Sequence, residues 1–314
     1  MIFGLILIFI ILLIAFHNKG IPVFLYHHVN ETSSMPEELF EEHLKIIKKN
    51  SMNTITVTDL LNKNIPSKSI LITLDDGYKD NYTNVFRLLK KYNMKATIFL
   101  NTEYMDNDDE YLTWENIKEM SESGIIDFQC HSHGHKSIIV EDKVIDISDG
   151  KPIFRIRGEY SSKAIIIKDE FYDVFYKYYN EDLKKRKLTE QLKLAQNFIS
   201  SNKDKYFYYE NNEEYNKRIT EDFLLNKEAI ESHLMKKVTF FCWPWGHRSK
   251  EAIKILEKFE IKGFVSTKKG TNSYESDLHM IKRIELREFT AKKFTINLFV
   301  GRNLILGKIY SLLS

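Results

Sequence analysis

The sequence lacks the features that would assign it to several common classes of protein. Only two cysteines occur, Cys130 and Cys242, so a disulfide framework is excluded. The formal net charge of +2 gives no reason to expect nucleic acid as a partner. We find neither an internal repeat nor a low-complexity segment. What remains is an ordinary globular composition, with 43% hydrophobic and 29% charged residues, sufficient for one large domain or two small ones.

One long apolar run is present, at residues 1–16. It is slightly shorter than the ~20 residues that span a bilayer comfortably, and no small-x-small cleavage site follows it. We therefore predict an uncleaved membrane anchor at residues 1–19, with a cleaved signal peptide and a buried core helix as alternatives. Lys19 is the one charged side chain near the run, so flanking charges give little information about the orientation of the anchor. We place the domain outside the cytoplasm because of its predicted function.

Beyond residue 20, short apolar runs alternate with helical patterns, which predicts a parallel sheet with right-handed crossovers. The alternation breaks between residues 138 and 236. There a predicted hairpin precedes helices rich in Lys, Glu, Asn and Tyr, so we expect an inserted α+β segment. We predict that residues 291–314 form an apolar, amphipathic helical tail that either packs on the barrel bottom or touches a membrane surface. The predicted framework strands are residues 21–26, 54–57, 69–74, 95–100, 125–130, 238–242, 262–266 and 281–286.

Two adjacent carboxylates, Asp75 and Asp76, directly follow the predicted strand 69–74. Carboxylates at the mouth of a buried strand are usually paired, ligated or functional, although an isolated Asp-Asp-Gly is more simply a turn and a helix cap. Two later strands also end in polar residues, HSHGH at 131–135 and WPWGH at 243–247. In a β/α barrel the carboxyl ends of the strands converge on one face, so we expect the three motifs to meet.

His131 and His135 lie four residues apart, a spacing that places two side chains on one face of a helical turn. A carboxylate from Asp75 or Asp76 would complete a set of two His and one Asp, which leaves positions open for water and substrate. The other Asp is then free to act as general base. A surface loop with incidental histidines is the alternative interpretation. The donor set favours a divalent ion, Zn²⁺ first, with Co²⁺ or Ni²⁺ as alternatives, and metal-assisted hydrolysis of an acyl group.

The three motifs resemble those of the polysaccharide deacetylases with a NodB homology domain, carbohydrate esterase family 4. The matching segments are TLDDGYKDNY at 73–82, HSHGH at 131–135 and WPWG at 243–246, and YHHV at 26–29 is similar to the first strand of many members. The resemblance implies a distorted (β/α)₇ barrel over residues 20–290, outside the predicted anchor and insertion.

The resemblance also implies a role for each matching residue. Asp75 would be the general base, and Asp76, His131 and His135 would bind the metal. The backbone N–H of Trp245 would donate to the developing oxyanion. The residues predicted to contact the substrate are His27 and Trp243.

Two departures from the family pattern concern the charge partner of the base and the general acid. The arginine that commonly begins the third motif is replaced here by Cys242. The late Leu-x-His motif, which supplies the acid, has no clean match; His247 and His279 are candidates, but we favour the interpretation of both as surface histidines.

Arg283, in the last predicted strand, is our candidate for the missing cation. A closed barrel places its last strand beside its first, so we predict that Arg283 reaches Asp75 from the opposite side of the barrel. The alternative is an exposed ion pair of Arg283 with Glu285 or Glu288.

Together these patterns predict a membrane-anchored, metal-dependent N-deacetylase of an N-acetylhexosamine polymer, with an acetylated polysaccharide as substrate. YHHV near the start and Arg-Ile near the end resemble the poly-N-acetylglucosamine deacetylases, which indicates a substrate class without fixing it. An O-acetyl esterase acting on xylan or a cell-wall glycan is one alternative. A non-catalytic glycan-binding or assembly protein on the same barrel is another.

Overall fold

The computed structural model describes residues 18–285 and 290–313. Most of the predicted anchor, residues 1–17, lies outside the described residues. Within the described ranges, we find no helix that combines the length and the apolar character needed to cross a membrane.

The helices and strands follow the alternation expected from the sequence, interrupted by the predicted insertion. The strands are β1 (Val23–Tyr26), β2 (Asn53–Ile55), β3 (Ser69–Leu74), β4 (Ala96–Asn101), β5 (Ile126–Ser132), β6 (Ser137–Ser148), β7 (Lys151–Gly158), β8 (Ile165–Ile167), β9 (Phe207–Tyr209), β10 (Phe240–Cys242), β11 (Gly263–Lys269) and β12 (Ile281–Glu285). The α-helices are α1 (Glu37–Lys49), α2 (Val57–Leu61), α3 (Arg87–Tyr92), α4 (Trp114–Glu122), α5 (Asp169–Tyr178), α6 (Leu188–Tyr206), α7 (Asn212–Leu234), α8 (Lys250–Glu257), α9 (Ala291–Arg302) and α10 (Leu304–Leu313).

The framework strands form a parallel sheet in the order β1-β12-β11-β10-β5-β4-β3-β2, and a pairing of β1 with β3 closes it into a barrel. The closed ring has seven strands because β2 and β4 share one edge of β3. Asn53 of β2 pairs with Ser69 at the start of β3, whereas Ile98 of β4 pairs with Leu74 at its end. The predicted seven-stranded barrel is confirmed.

Burial explains why these apolar runs become strands. Every residue of β1, β3, β4 and β5 is buried, as expected for parallel strands covered on both faces. The parallel arrangement brings the carboxyl ends of β3, β5 and β10 to one end of the barrel. That end carries the three polar motifs.

Within the described residues the chain divides into two compact units. The barrel unit comprises residues 18–134, 222–246, 256–285 and 290–313, and the insert unit comprises residues 135–221 and 247–255. The insert unit contains an antiparallel sheet in the order β7-β6-β8-β9, with a core that includes Phe171 and Phe175 of α5. The predicted insertion, residues 138–236, differs from this unit, because residues 222–236 group with the barrel unit and residues 247–255 group with the insert unit.

The second half of α7 groups with the barrel because its side chains pack there. Phe223 contacts Phe241 of β10 edge to face, with ring centroids 5.9 Å apart. Asn226 is fully buried and donates hydrogen bonds to the carbonyl oxygens of Leu100 and Ser132 at 2.9 and 2.7 Å. These contacts join segments that are far apart in the sequence.

Gly263 provides a test of how tightly β10 and β11 are packed. It lies opposite Phe240 in the sheet, and a Cβ atom at this position would come 2.1 Å from Cε1 of the buried Phe240 ring. We expect Gly263→Ala to lower the free energy of unfolding by about 1–3 kcal/mol, the usual cost of overpacking. Urea denaturation followed by tryptophan fluorescence measures this change.

The matched control removes the ring that the new methyl group would meet. In a Phe240→Leu background, Gly263→Ala should cost less, with a coupling energy of about 0.5–3 kcal/mol between the two sites. Additive effects would mean that the Phe240 ring is not the obstacle.

Candidate active site

Asp75 and Arg283 form a buried, bidentate ion pair within the barrel unit. Asp75, directly after β3, is 3% exposed, and Arg283 of β12 is 0% exposed. The two terminal guanidinium nitrogens donate to Oδ1 and Oδ2 of Asp75 at 2.6 and 2.7 Å, and Nε donates to the carbonyl of Ser266 at 3.0 Å. The geometry is the fork-to-fork arrangement that gives arginine its specificity for carboxylates.

Arg283 therefore lies against Asp75, as predicted, although the route differs from the expected one. β12 and β3 are both neighbours of β1, so the guanidinium reaches past one strand rather than across the whole barrel. The alternative of an exposed pair with Glu285 or Glu288 is wrong, because Arg283 has no exposed surface.

The charge of Arg283 decides the ionisation of Asp75. Burial by itself raises the pKa of the carboxyl group, but the charge and the hydrogen bonds of Arg283 outweigh it, and the pKa of Asp75 lies well below its usual range. The carboxylate is therefore ionised and held in one orientation.

Cys242 completes the surroundings of this pair. Its Sγ lies 3.6 and 3.7 Å from the two Asp75 oxygens and accepts a hydrogen bond from Arg283 at 3.1 Å. Burial raises the pKa of the thiol well above its usual range, so it is a thiol that donates weakly to Asp75. The ligand atoms of Asp75, His131 and Cys242 are close enough to suggest a metal site. A protonated thiol and a carboxylate bound by arginine argue against it.

A second group, Asp76, His131 and His135, has its candidate ligand atoms within 4.8 Å of one another. His131 is 2% exposed, and its Nδ1 lies 2.7 Å from the backbone oxygen of Cys242. Because a carbonyl only accepts, Nδ1 carries a proton, and Nε2 is the ring nitrogen left to bind a metal. Asn101 donates from Nδ2 to Oδ1 of Asp76 at 2.8 Å.

The chemistry of this group fits a divalent metal. Nε2 of His131 lies 3.6 Å from Oδ1 of Asp76, so one cation could contact both atoms. Two imidazoles and one carboxylate are borderline ligands that suit Zn²⁺ and its neighbours and leave coordination positions open. The hydrogen bonds to Cys242 and Asn101 orient the ligands from behind.

The backbone from His131 to His135 does not form the helical turn that we expected. β5 continues through Ser132, so His131 is part of an extended strand, and a turn follows before His135. His135 and Asp76 have φ angles of 48° and 75°, in the left-handed region that costs a non-glycine residue roughly 1–2 kcal/mol. Such strain at two candidate ligands is typical of functional sites.

Sequence reasoning missed two residues that form hydrogen bonds with the backbone of residues 132–134. Asp222 of α7 accepts hydrogen bonds from the backbone N–H groups of His133 and Gly134, both at 3.0 Å. Asn226, four residues later on the same helix face, binds the carbonyl of Ser132. The i, i+4 spacing of Asp222 and Asn226 was the available signal, but it fell within the predicted insertion.

An aromatic row beside Asp76 was also missed. The His28 and Tyr78 rings stack 3.5 Å apart, the Tyr78 and Tyr111 centroids are 5.0 Å apart, and those of Tyr111 and Tyr104 are 4.7 Å apart. A hydrogen bond joins Tyr78 to Asp76; burial is the main reason why the pKa of Tyr78 is raised, and the Asp76 charge adds to it.

Two of the residues expected to contact substrate or oxyanion lie on accessible surface. His27 directly follows β1, and its side chain is exposed. Trp245 is 46% exposed and has a φ of 52°, within a turn in which Gly246 donates to the carbonyl of Trp243 at 2.8 Å. Their roles stay predictions.

Trp243, predicted to contact the substrate, is a core residue instead. It is 0% exposed, and its ring stacks on Phe264 at 5.0 Å and meets Phe241 edge to face at 4.9 Å. Its backbone N–H donates to Val265, so the chain is still paired with β11 at this point. The pairing turns the indole into the core.

The two candidate general acids, His247 and His279, contact residues other than the ion pair and the candidate metal ligands. His279 lies near Glu257 and Asp277, with nitrogen–oxygen distances of 3.3 and 3.5 Å. Nδ1 of His247 accepts a hydrogen bond from the backbone of Gly158 at 3.0 Å within the insert unit, and burial lowers the pKa of His247.

The ion pair predicts a pH-dependent loss of stability in Arg283→Met. At neutral pH this substitution leaves the Asp75 carboxylate buried without its cation, which should cost about 3–5 kcal/mol in the free energy of unfolding. Without Arg283 the folded pKa of Asp75 rises, so protonation relieves the penalty as the pH falls. Wild type loses its own gain below the unfolded pKa of about 3.9. Urea titrations over a pH series should show a deficit that shrinks toward acid pH.

The double variant Asp75→Asn/Arg283→Met is the control. It removes both charges, so it should be more stable at neutral pH than Arg283→Met alone. A deficit that is independent of pH and unchanged in the double variant would show that packing, not charge, is the main contribution of Arg283.

Comparison with known proteins finds a family model and relatives that match part of this chain. The family model for "Polysaccharide deacetylase" matches residues 62–264 of this chain. The Bacillus subtilis protein YxkH, which carries the name of a polysaccharide deacetylase, is 34% identical over 144 residues, 43% of this chain and 51% of its own length. A Staphylococcus aureus poly-β-1,6-N-acetyl-D-glucosamine N-deacetylase is 25% identical over 118 residues, 35% of this chain and 41% of the relative. The chain thus spans about half the length of these relatives, or less.

Solved structures share the fold at low sequence identity. A de-N-acetylase from Aggregatibacter actinomycetemcomitans superposes with a TM-score of 0.66 at 17% identity, over 89% of this chain and 99% of that one. IcaB from Ammonifex degensii gives a TM-score of 0.59 at 17% identity, over 90% and 97%. With the family model covering more than half of the 314 residues, this chain belongs to the polysaccharide deacetylase family.

Proposed function

We propose that this protein is a metal-dependent hydrolase that removes N-acetyl groups from an N-acetylhexosamine polysaccharide at the cell surface. The observation that carries the proposal is that two adjacent carboxylates, Asp75 and Asp76, have different partners. Asp75 is held by Arg283, and Asp76 faces Nε2 of His131. The name of the Staphylococcus aureus relative, an N-deacetylase of poly-β-1,6-N-acetylglucosamine, supports the substrate class.

Asp75 is suited to accept a proton from the attacking water. Each carboxylate oxygen has two lone pairs, so the hydrogen bonds from Arg283 leave capacity for a further donor. The low pKa keeps Asp75 ionised, and the fixed guanidinium keeps it aimed. Arg283 touches the base rather than the substrate, so it acts as a positioning residue.

Asp76, His131 and His135 would hold the divalent ion, for which Zn²⁺ is our first choice. When bound, such an ion supplies a Lewis acid that polarises the acetyl carbonyl and lowers the pKa of water. Asn101 and the carbonyl of Cys242 keep the first two ligands in place.

Trp245 would stabilise the developing oxyanion, and the aromatic row would bind the sugar rings of the substrate. The backbone N–H of Trp245, in its left-handed turn, is our candidate donor to the developing oxyanion. The half-buried rings of Tyr78 and Tyr111 offer faces on which sugar rings stack, and His27 is exposed at the end of β1. The predicted anchor at residues 1–19 would tether the domain outside the cytoplasm.

Acetate release from a panel of glycans tests the function. We expect the purified protein, loaded with Zn²⁺, to release acetate from N-acetylglucosamine polymers and not from O-acetylated xylan. Release from the O-acetylated substrates alone would make the protein an esterase. A metal-loaded, folded protein that releases no acetate from any member of the panel would favour a glycan-binding role.

Substitutions of the two carboxylates should separate metal binding from turnover. Asp76→Ala, His131→Ala and His135→Ala should each lose the metal and the activity together. Asp75→Asn should keep the metal but lose about 10²–10⁴-fold in kcat, because the water lacks its base. Metal analysis of the purified variants beside acetate assays distinguishes the two classes.

The outcome for Asp75→Asn decides the assignment of the base. Retention of wild-type acetate release in this variant would contradict the role of Asp75. Loss of metal in the same variant would place Asp75 among the ligands.

A further inference from the structure

The C-terminal helices α9 and α10 direct apolar side chains outward from the barrel unit. Ile296 and Phe299 of α9 are 52% and 54% exposed, and they share a helix face with Lys292, since the three lie at i, i+4 and i+7. The opposite face of α9 packs inward through Phe294 and Leu298. A soluble helix normally keeps its outward face polar.

In α10 the amphipathic pattern is inverted. Ile305, Ile309 and Leu312 lie at i, i+4 and i+7 and are 37%, 47% and 79% exposed. The small residues Gly307 and Ser311 face the barrel unit. A Cβ at Gly307 would come 2.3 Å from the Thr271 side chain, and one at Gly270 would come 3.1 Å from Cβ of Ser311. The apolar stripe of α10 therefore points away from the core.

Positive charge accompanies these apolar faces. Residues 291–314 contain four basic residues and no acidic ones. A Cβ at Gly270 would come 2.7 Å from Cδ of Lys282 and 3.1 Å from Cβ of Ser311, so Lys282 lies beside α10. Burial first, then the charges of Lys268 and Lys308, lowers the pKa of Lys282. Among the described residues, no carboxylate forms an ion pair with these three lysines. A like-charge cluster of this kind has a use when an anionic surface lies opposite.

The chain also enters the barrel unit beside these helices. The backbone N–H of Gly20 donates to the carbonyl of Arg302 at 2.7 Å, at the junction of α9 and α10. The apolar run of residues 1–16 ends four residues earlier, a distance of at most roughly 14 Å in an extended chain. Gly20 also precedes β1, so this junction lies at the amino ends of the strands, away from the candidate active site.

We propose that the outward faces of α9 and α10, with Lys268, Lys282 and Lys308, dock on the surface of a bilayer that contains anionic lipids. The apolar side chains enter the boundary between headgroups and acyl chains, and the lysines contact the headgroups. This docking surface is independent of the catalytic assignment. It adds to any tether supplied by residues 1–19.

A fluorescent probe on α10 tests this surface in the full chain. Leu312→Cys can be labelled selectively with an environment-sensitive dye, because both native cysteines are buried. Asp109→Cys, on an exposed loop after β4, is the matched control position. Both labelled proteins are bound to vesicles of phosphatidylcholine with or without phosphatidylglycerol, and to the same vesicles carrying a lipid with a nitroxide quencher near its headgroup.

We expect the probe at residue 312 to be quenched several-fold more than the probe at residue 109 in vesicles containing phosphatidylglycerol. The double variant Lys268→Gln/Lys308→Gln should reduce the ratio of docked to undocked protein by about 30-fold in those vesicles, at ~1 kcal/mol for each lysine. It should have little effect in phosphatidylcholine alone. Acetate release or metal content in solution should not change, because neither lysine lies at the candidate site.

Two results would overturn the proposal. Equal, weak quenching at both positions would mean that α10 stays in water. A blue-shifted probe at residue 312 that the lipid quencher does not reach would mean that protein, such as residues 1–17 of the chain, covers this face.

Discussion

The buried ion pair between Asp75 and Arg283 constrains much of the barrel unit. It exists only if the sheet closes, because Asp75 follows β3 and Arg283 belongs to β12, on the two sides of β1. An ion pair at this depth is weak evidence for stability, since two desolvated charges rarely gain more than hydrophobic residues of the same shape would. What it provides is an ionised carboxylate in a fixed orientation, because Arg283 outweighs the rise in the pKa of Asp75 that burial causes.

The pair and the candidate metal ligands are joined through Cys242. Its thiol touches both Asp75 and Arg283, and its backbone carbonyl orients His131. A change in the path of β10 would therefore disturb the base and the metal ligand together. The stacked Trp243 ring and the tight contact between Gly263 and Phe240 hold this short strand in place.

Sequence periodicity was sufficient for the barrel and the location of the site, because strand ends converge by topology alone. It also placed Arg283 beside Asp75, since a last strand neighbours the first in any closed barrel. It could not supply side-chain direction at the strand ends. His131 stays in the strand and Trp243 turns into the core because sheet pairing continues one or two residues beyond the apolar runs. Asp222 and Asn226 were missed because their contacts join distant segments.

The same reasoning explains how the barrel tolerates Cys242 at the position where the motif that the sequence resembles begins with an arginine. A cation beside the base is an electrostatic requirement, and the strand that supplies it is not fixed. Arg283 approaches from β12 and fills the space beside Asp75, with its guanidinium 3.1 Å from the Cys242 sulfur. A second arginine at position 242 would bring two like charges into this buried space, with one carboxylate between them. A small, uncharged thiol is compatible with the guanidinium, so the cysteine and the distant arginine form one solution to the same constraint.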